Sequence, residues 1–387
     1  MLTEFDIAII GGGNAGLTLA AKLASQENPP HTVVIEPQSG QQRDCSWGLW
    51  ALEQQTAQLS HSTKGRWRRW QLIDNNRRII HSSEQYSYLS LSSADYLLNC
   101  AAQISEPVSQ IQESVVSLHS EQQQTIIETD KNRYSAKTVY DSRPPKLVKG
   151  GLRQHFLGWH IHTKQPIKDP DIATLMDFRV DQSRGLHFIY ALPFSDHHLL
   201  IESTLISAHV EPQDWYRNAI ESWLRDNNIE VAQVICEEMG VIPMDTLINE
   251  SPCASSQQQA LIATIGAASG AVRRSSGYAF QHIQQQISQL AAGIAQGNRA
   301  VPNPISSRLT TMDKIFNAVL ISHPDLAISL YMRMANALTG DQFARFMLGQ
   351  ATTHDWLRVI AAMPKRPFLH QLIKQCFKPS AKRVSDD

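Results

Sequence analysis

Near its start the chain carries an apolar run, Ile7-Ala-Ile-Ile10, that passes directly into Gly11-Gly-Gly-Asn-Ala-Gly16 and then into a helical pattern over Leu17 to Leu23. A second apolar run, Thr32-Val-Val-Ile35, follows and ends on Glu36. Short apolar runs bounded by turn residues read as buried strands, so residues 1 to 36 predict a βαβ unit. Ser114-Val-Val-Ser-Leu118 and Gln124-Thr-Ile-Ile-Glu128 alternate with period two and predict hairpin strands, and Val139-Tyr-Asp141 predicts a return to the first sheet. From Gly158 to Thr204 the pattern is strand-rich, with Trp159-His-Ile161, Leu175-Met-Asp-Phe178, His187 to Leu192 and His198-Leu-Leu-Ile-Glu202. A helix is expected over 213–227, with Trp215, Ile220 and Trp223 on one face. Leu261 to Gly266 reads as one more strand, running into a second glycine cluster, Gly266-Ala-Ala-Ser-Gly270, and then a helix over 278–295. Residues 308–377 are amphipathic and helical in pattern, and 378–387 form a polar tail. No internal repeat and no long linker interrupts the series.

The expected fold is therefore α/β: a Rossmann-type dinucleotide-binding domain with an inserted β-rich substrate domain and a helical C-terminal region. The nucleotide domain takes residues 1–150 and 251–300, the insert 151–250, and the helical region 301–377. In the first turn, Gly11-x-Gly13-x-x-Gly16 lets the backbone turn tightly and approach a pyrophosphate at a helix N-terminus, with Asn14 and Ala15 inside the turn. Glu36 stands twenty residues after Gly16, where an acidic side chain accepts hydrogen bonds from an adenosine ribose. A late strand entering a second glycine turn, here Gly266 and Gly270, is how flavoproteins hold the remainder of FAD. Both ends engaged favours FAD over NAD.

Composition agrees with a soluble nucleotide enzyme. There are 387 residues, 42% hydrophobic and 18% charged, with net charge −1, enough for two domains or one large interleaved unit. The neutral balance argues against a chain built to coat nucleic acid. The basic-aromatic segment Lys64-Gly-Arg-Trp-Arg-Arg-Trp70 is one short patch, read as a solvated strand or a membrane-surface contact. Five scattered cysteines, Cys45, Cys100, Cys236, Cys253 and Cys376, read as free thiols in a reducing cytoplasm. The strand so close to Met1 leaves no space for a signal peptide, and no apolar run approaches the ~18 residues that cross a bilayer. His160-Ile-His162 and His197-His198 lack matching ligand spacing, so no metal site is expected. No Gly-x-Ser-x-Gly elbow supports a serine triad.

Several blocks resemble, in order, those of the flavin-dependent lycopene cyclases. They are Cys45-Ser-Trp-Gly-Leu-Trp50, Phe188-Ile-Tyr-Ala-Leu-Pro-Phe194, Leu200-Ile-Glu-Ser-Thr204, Gly240-Val-Ile-Pro-Met244 and Gly270-Ala-Val-Arg-Arg-Ser-Ser-Gly-Tyr278. Met312-Asp-Lys-Ile-Phe316, His323-Pro-Asp-Leu326, Asp355 to Ile360 and Met363-Pro364 are similar to the family's tail. The resemblance implies cyclization of lycopene or a related acyclic carotenoid without net electron transfer. A proton adds to the terminal double bond, the ring closes through a tertiary carbocation, and another proton leaves. It implies reduced FAD as an electrostatic partner of the cation, with NADPH or NADH only priming it.

Glu202 matches the glutamate of the family's Glu-x-Thr block. A carboxyl in an apolar pocket keeps its proton near neutral pH, as donation to an alkene requires, so Glu202 is the expected general acid. Asp177 on a neighbouring strand is a candidate to orient it or complete a proton relay. His160 departs from the pattern, since bacterial cyclases often carry glutamate there; it is either a relay or a structural histidine. Trp47, Trp50, Phe188 and Tyr190 are candidates to line the substrate path and stabilise positive charge through their ring faces. A substrate this apolar must be collected from a bilayer, so cytoplasmic, peripheral membrane attachment is expected, with 315–321, 326–334 and 343–348 as candidate contact helices. The alternatives are an FAD monooxygenase acting on a hydrophobic isoprenoid or aromatic compound, and a silent pigment or flavin carrier.

Overall fold

The computed structural model describes residues 2–38, 44–121, 123–144, 150–244 and 261–376. Its first sheet is built on the apolar runs at the start of the chain. Thr3–Ile10 pairs in parallel with Thr32–Ile35 on one side and Arg133–Asp141 on the other, and Val108–Ile111 extends the sheet beyond Thr32–Ile35. Along the free edge of Arg133–Asp141, the antiparallel strand Gln124–Thr129 takes the first half and the late strand Leu261–Thr264 pairs in parallel with the second. The nucleotide sheet is thus assembled from segments more than a hundred residues apart, as the two glycine clusters predicted. Helices Asn14–Ala24 and Phe280–Ala295 pack together over it, burying Leu17, Leu19, Leu23, Ile283, Ile287 and Leu290.

The second sheet runs in the order Val231–Pro243, Arg153–Thr163, His198–Ser207, Leu186–Pro193, Ile172–Asp177, Arg69–Ile73, Arg78–Ser82. Its last two strands come from the segment expected inside the nucleotide domain, so that boundary is corrected: the 69–82 hairpin completes the substrate sheet. The basic segment resolves by strand alternation. Trp67 and Trp70 turn into the core, while Lys64, Arg66 and Arg69 pair with Asp44, Glu53 and Asp171. One face of this sheet is covered by the Gln213–Asp226 helix through Tyr216, Ile220, Trp223 and Leu224. The other face, carrying Phe188, Leu192, Leu200 and Ile206, meets the C-terminal helices through Leu330, Tyr331, Phe343 and Met347. A three-stranded sheet of Ser46–Leu52, Tyr86–Ser92 and Thr63–Trp67 lies between the two layers, its Leu49 and Leu91 packing with the nucleotide core and its Trp50 and Tyr88 with the substrate core.

Two histidines locked in these cores give the fold a pH limit. His155 is buried against the Tyr216 hydroxyl, 2.6 Å from Nδ1, and His282 lies beside the Arg273 guanidinium. Burial pushes each down to about 4, with a smaller push from the Arg273 charge at His282 and from the Arg153 charge at His155. Their contribution to stability is complete above the ordinary histidine value of about 6.5 and is lost as pH falls through about 4, because the unfolded chain takes up the protons first. We expect the urea midpoint to fall between pH 7 and pH 4, and His155→Gln to flatten that fall; an identical slope in wild type and variant would refute the assignment.

Candidate active site

The first glycine turn has the geometry of a phosphate cradle. Gly11 has φ +95°, and a Cβ there would sit 2.6 Å from Ser142 Oγ. Gly13 caps the Asn14–Ala24 helix in extended conformation, with no atom within 4 Å of where its side chain would be, so the helix N-terminus is open. Gly16 is packed onto the Gly11 carbonyl. Glu36 Oε2 accepts from the Gly12 amide at 2.7 Å, and its Oε1 from Gln38 at 3.0 Å, which fixes the carboxylate at the turn. Asn14 Oδ1 accepts from Gln284 Nε2 at 2.8 Å. The second cluster docks on the first: Gly266, at φ +69°, lies against Ala15, and its amide donates to Gln286 Oε1 at 2.8 Å. Gly270, at φ +90°, is again open. All eight residues expected from the sequence to hold the cofactor converge here.

Glu202, the candidate acid, lies in the second sheet. In the register of three adjacent strands, Gly158 stands between Glu202 and Glu238, which brings the two glutamates onto one face. The missing side chain matters, because a Cβ on Gly158 would come 2.6 Å from Glu202 Cγ. Both carboxyls are buried, each residue 8% exposed. Burial, then the charge of Glu238 and its direct contact with Glu202, push the Glu202 carboxyl well above the carboxylate range, so it holds its proton at neutral pH. The contact between them is loose: Glu238 Oε2 accepts from the Ser46 amide at 2.9 Å, while Oε1 makes no well-formed hydrogen bond. Beside the pair stand Tyr190, opposite Glu202 in the register, and Tyr88 and Tyr278, with hydroxyls linked at 2.9 and 3.2 Å. Burial raises all three phenols far above their ordinary value, so they remain neutral.

The remaining predicted residues divide. His160 is in the site: Nε2 is 3.4 Å from Ser46 Oγ and 3.9 Å from Glu238 Oε2, and its ring stacks on Phe194. Asp177 is not, and its candidate role is corrected. It lies on the opposite face of the sheet, where Arg179 grips it with two bonds of 2.8 and 2.6 Å and Trp223 Nε1 donates at 2.9 Å. That is a structural anchor for the Gln213–Asp226 helix. Trp47 packs on Tyr96 and Phe280 in the nucleotide core. Trp50 and Phe188 are core residues, Trp50 edge-on to Tyr88 and Tyr278. Glu238, Tyr88 and Tyr278 were missed as site residues, although Tyr278 closes one of the resembling blocks.

A cavity of about 280 Å³ opens among the C-terminal helices, lined by Phe316, Tyr331, Met334, Ile360, Leu369 and Leu372, with Arg273 and Asp313 at its polar end. The stripes at 315–321, 326–334 and 343–348 are mostly turned into the core, burying Val319, Leu320, Leu330, Met332, Phe343 and Met347. Within those stripes Ile321 is exposed, and the other exposed apolar side chains of the C-terminal helices are Leu357, Ile360, Leu369, Leu372 and Ile373. Among the described residues no single helix is long and apolar enough to cross a membrane, and no cluster of metal-ligating groups occurs. Cys100 and Cys236 are free thiols; Cys253, the Cys376 side chain and the 378–387 tail lie outside the described residues.

The described residues combine a two-part dinucleotide fold with a buried carboxyl, raised well above the carboxylate range, beside a cluster of buried tyrosines. The chain belongs to the lycopene cyclase family, whose description, "Lycopene cyclase protein", it matches over residues 6–373. It is 24% identical over 390 residues to a lycopene beta-cyclase of Pantoea ananas, covering 96% of this chain and 98% of that one. It is likewise 24% identical over 323 residues to a chromoplastic capsanthin/capsorubin synthase of Citrus sinensis, covering 76% and 60%. Among solved structures it superposes on a geranylgeranyl bacteriochlorophyll reductase-like protein of Thermoplasma acidophilum with TM-score 0.64 at 13% identity, over 97% of this chain and 100% of that one. A flavin-dependent brominase gives TM-score 0.60, also at 13% identity, over 96% and 100%. At such identities the likeness is one of fold.

Proposed function

We propose that this protein is a lycopene β-cyclase, closing the ends of lycopene to β-ionone rings by acid catalysis with reduced FAD bound. The observation that carries the reading is Glu202: a buried carboxyl, kept protonated, on the sheet face that looks toward the tyrosine group. Its proton goes to the terminal double bond of the polyene, the adjacent double bond attacks the resulting tertiary cation, and a ring carbon then loses a proton, so protons and electrons balance. Tyr88, Tyr190 and Tyr278 are neutral and buried, and their ring faces favour the transient cation without competing as bases. The residues that would hold FAD are Gly11, Gly13, Asn14, Ala15, Gly16 and Glu36 at one end and Gly266 and Gly270 at the other; the open α-carbons of Gly13 and Gly270 fit a cofactor backbone. Held by these residues, reduced flavin would supply electron density that favours a developing cation. NADPH or NADH serves only to reduce it. Lycopene liposomes with FAD and either reductant, analysed by chromatography, test the reading: monocyclic and bicyclic products support it, and unchanged lycopene refutes it.

The protein collects this substrate as a cytoplasmic enzyme docked on an anionic bilayer. Leu357, Ile360, Leu369, Leu372 and Ile373 form an exposed apolar face on the Thr353–Ala362 and Lys365–Cys376 helices, and two of them with Ile360 also line the cavity. The exposed Arg358, Lys365, Arg366 and Lys374 on the same two helices match that charge. Each inserted apolar side chain contributes about 1–2 kcal/mol, so Leu357→Asp with Ile373→Asp should weaken vesicle binding roughly 30–1000-fold with the circular dichroism unchanged. Equal co-sedimentation with anionic vesicles by both proteins would place the docking face elsewhere.

A further inference from the structure

We propose that Glu238, His160 and His198 form a proton relay joining the buried acid Glu202 to the protein surface. The inference rests on the cyclase reading and goes beyond it: Glu202 is buried, and the groups that join it to the surface decide how fast its proton exchanges with solvent between turnovers.

The connections are consecutive. Glu238 touches Glu202 across Gly158 and lies 3.9 Å from His160 Nε2. On the other side of the same ring, Nδ1 is 3.4 Å from His198 Nε2. The His198 ring is 5.4 Å from that of His162, which is exposed. Two features suit this line to proton movement. Oε1 of Glu238 is buried without a well-formed hydrogen bond, leaving it able to take and return a proton. The His160 imidazole presents Nε2 to Glu238 and Nδ1 to His198, so a proton taken on one side can be released on the other.

The surroundings are mixed in charge. His160 faces Glu238 and Cys236 on the Val231–Pro243 strand, His198 on the adjacent strand, and Ser46 on Ser46–Leu52. Lys64, paired with Asp44, lies near Phe194 and His198. Burial, then His160, His162 and Lys64, push His198 down to about 4, so it stands neutral near pH 7 and would carry a proton only in passing. The cycle closes without any other reagent: Glu202 gives its proton to the alkene, the ring carbon gives one back to the carboxyl pair, and exchange through the histidines equilibrates the pair with solvent.

The test is cyclization in deuterium oxide, scored by deuterium per ring. Wild type should place one deuteron in each ring formed. In Glu238→Gln, and independently in His160→Phe should the first fail to fold, the acid is recharged mainly by the proton just abstracted from substrate. Label should then fall well below one per ring, along with a rate loss of about 100-fold for Glu238→Gln, and Glu238→Asp should recover much of both. Full label in both variants, whatever their rates, overturns the relay while leaving the cyclase reading intact. A wild-type protein that cyclizes nothing refutes that reading, and the relay with it.

Discussion

Glu202→Gln should lose cyclization by about a thousandfold, within the range that a positioned general acid supplies, while folding at least as well as the wild type. The amide has nearly the volume and shape of the carboxyl but no acidic proton, so chemistry is lost and packing is kept. The stability effect has a defined sign. The Glu202 carboxyl is raised mainly by burial, so its contribution is full below the ordinary carboxylate value and is lost as pH rises toward its folded value. The variant removes that dependence. Urea titrations should therefore show Glu202→Gln close to wild type near pH 4 and increasingly more stable than it toward pH 8. Retained cyclization in the variant, or a stability difference that grows on acidification, would contradict the assignment of Glu202 as the protonated acid.

Arg273→Met should destabilise the protein by about 3–5 kcal/mol, the cost of leaving a buried charge unpaired. The guanidinium is 2% exposed and binds both Asp313 oxygens at 2.9 Å, and it also donates to the carbonyls of Phe346 and Met347 at 2.9 and 3.3 Å. One side chain thus ties the segment after the second glycine cluster to two of the C-terminal helices, at the polar end of the cavity. Replacing both partners by apolar residues removes the orphaned charge, so Arg273→Met with Asp313→Leu should recover a large part of the loss. A single variant with an unchanged urea midpoint, or a double variant worse than the sum of the singles, would show that the pair does not hold these helices.

What the sequence revealed follows from which signals are local. The nucleotide turn was legible because its constraints, a positive φ at Gly11 and close packing at Gly16, fall on glycines a few positions apart. Glu202 was legible through strand alternation and a family block. Glu238 was not, since Cys236-Glu-Glu-Met239 offers two adjacent acids with no local cue to which faces inward. Alternation settles it only once pairing is known: Glu237 turns out to Arg217 and Trp159, and Glu238 turns in beside Gly158. Asp177 failed for the same reason in reverse, because a strand was evident but its face was not. The C-terminal helices misled by their number. Several amphipathic stripes compete for one core, and those at 315–321, 326–334 and 343–348 fill most of it, leaving Leu357, Ile360, Leu369, Leu372 and Ile373 outside.

The central claim is acid catalysis with no electrons consumed, and the direct measurement is the number of rings formed per reduced flavin. Protein carrying photoreduced FAD, with lycopene liposomes, no oxygen and no NADPH or NADH, should form many rings per flavin, and the flavin should remain reduced at the end. Product capped at one ring per flavin, flavin reoxidised in step with product, or turnover that starts only when oxygen is admitted would contradict it.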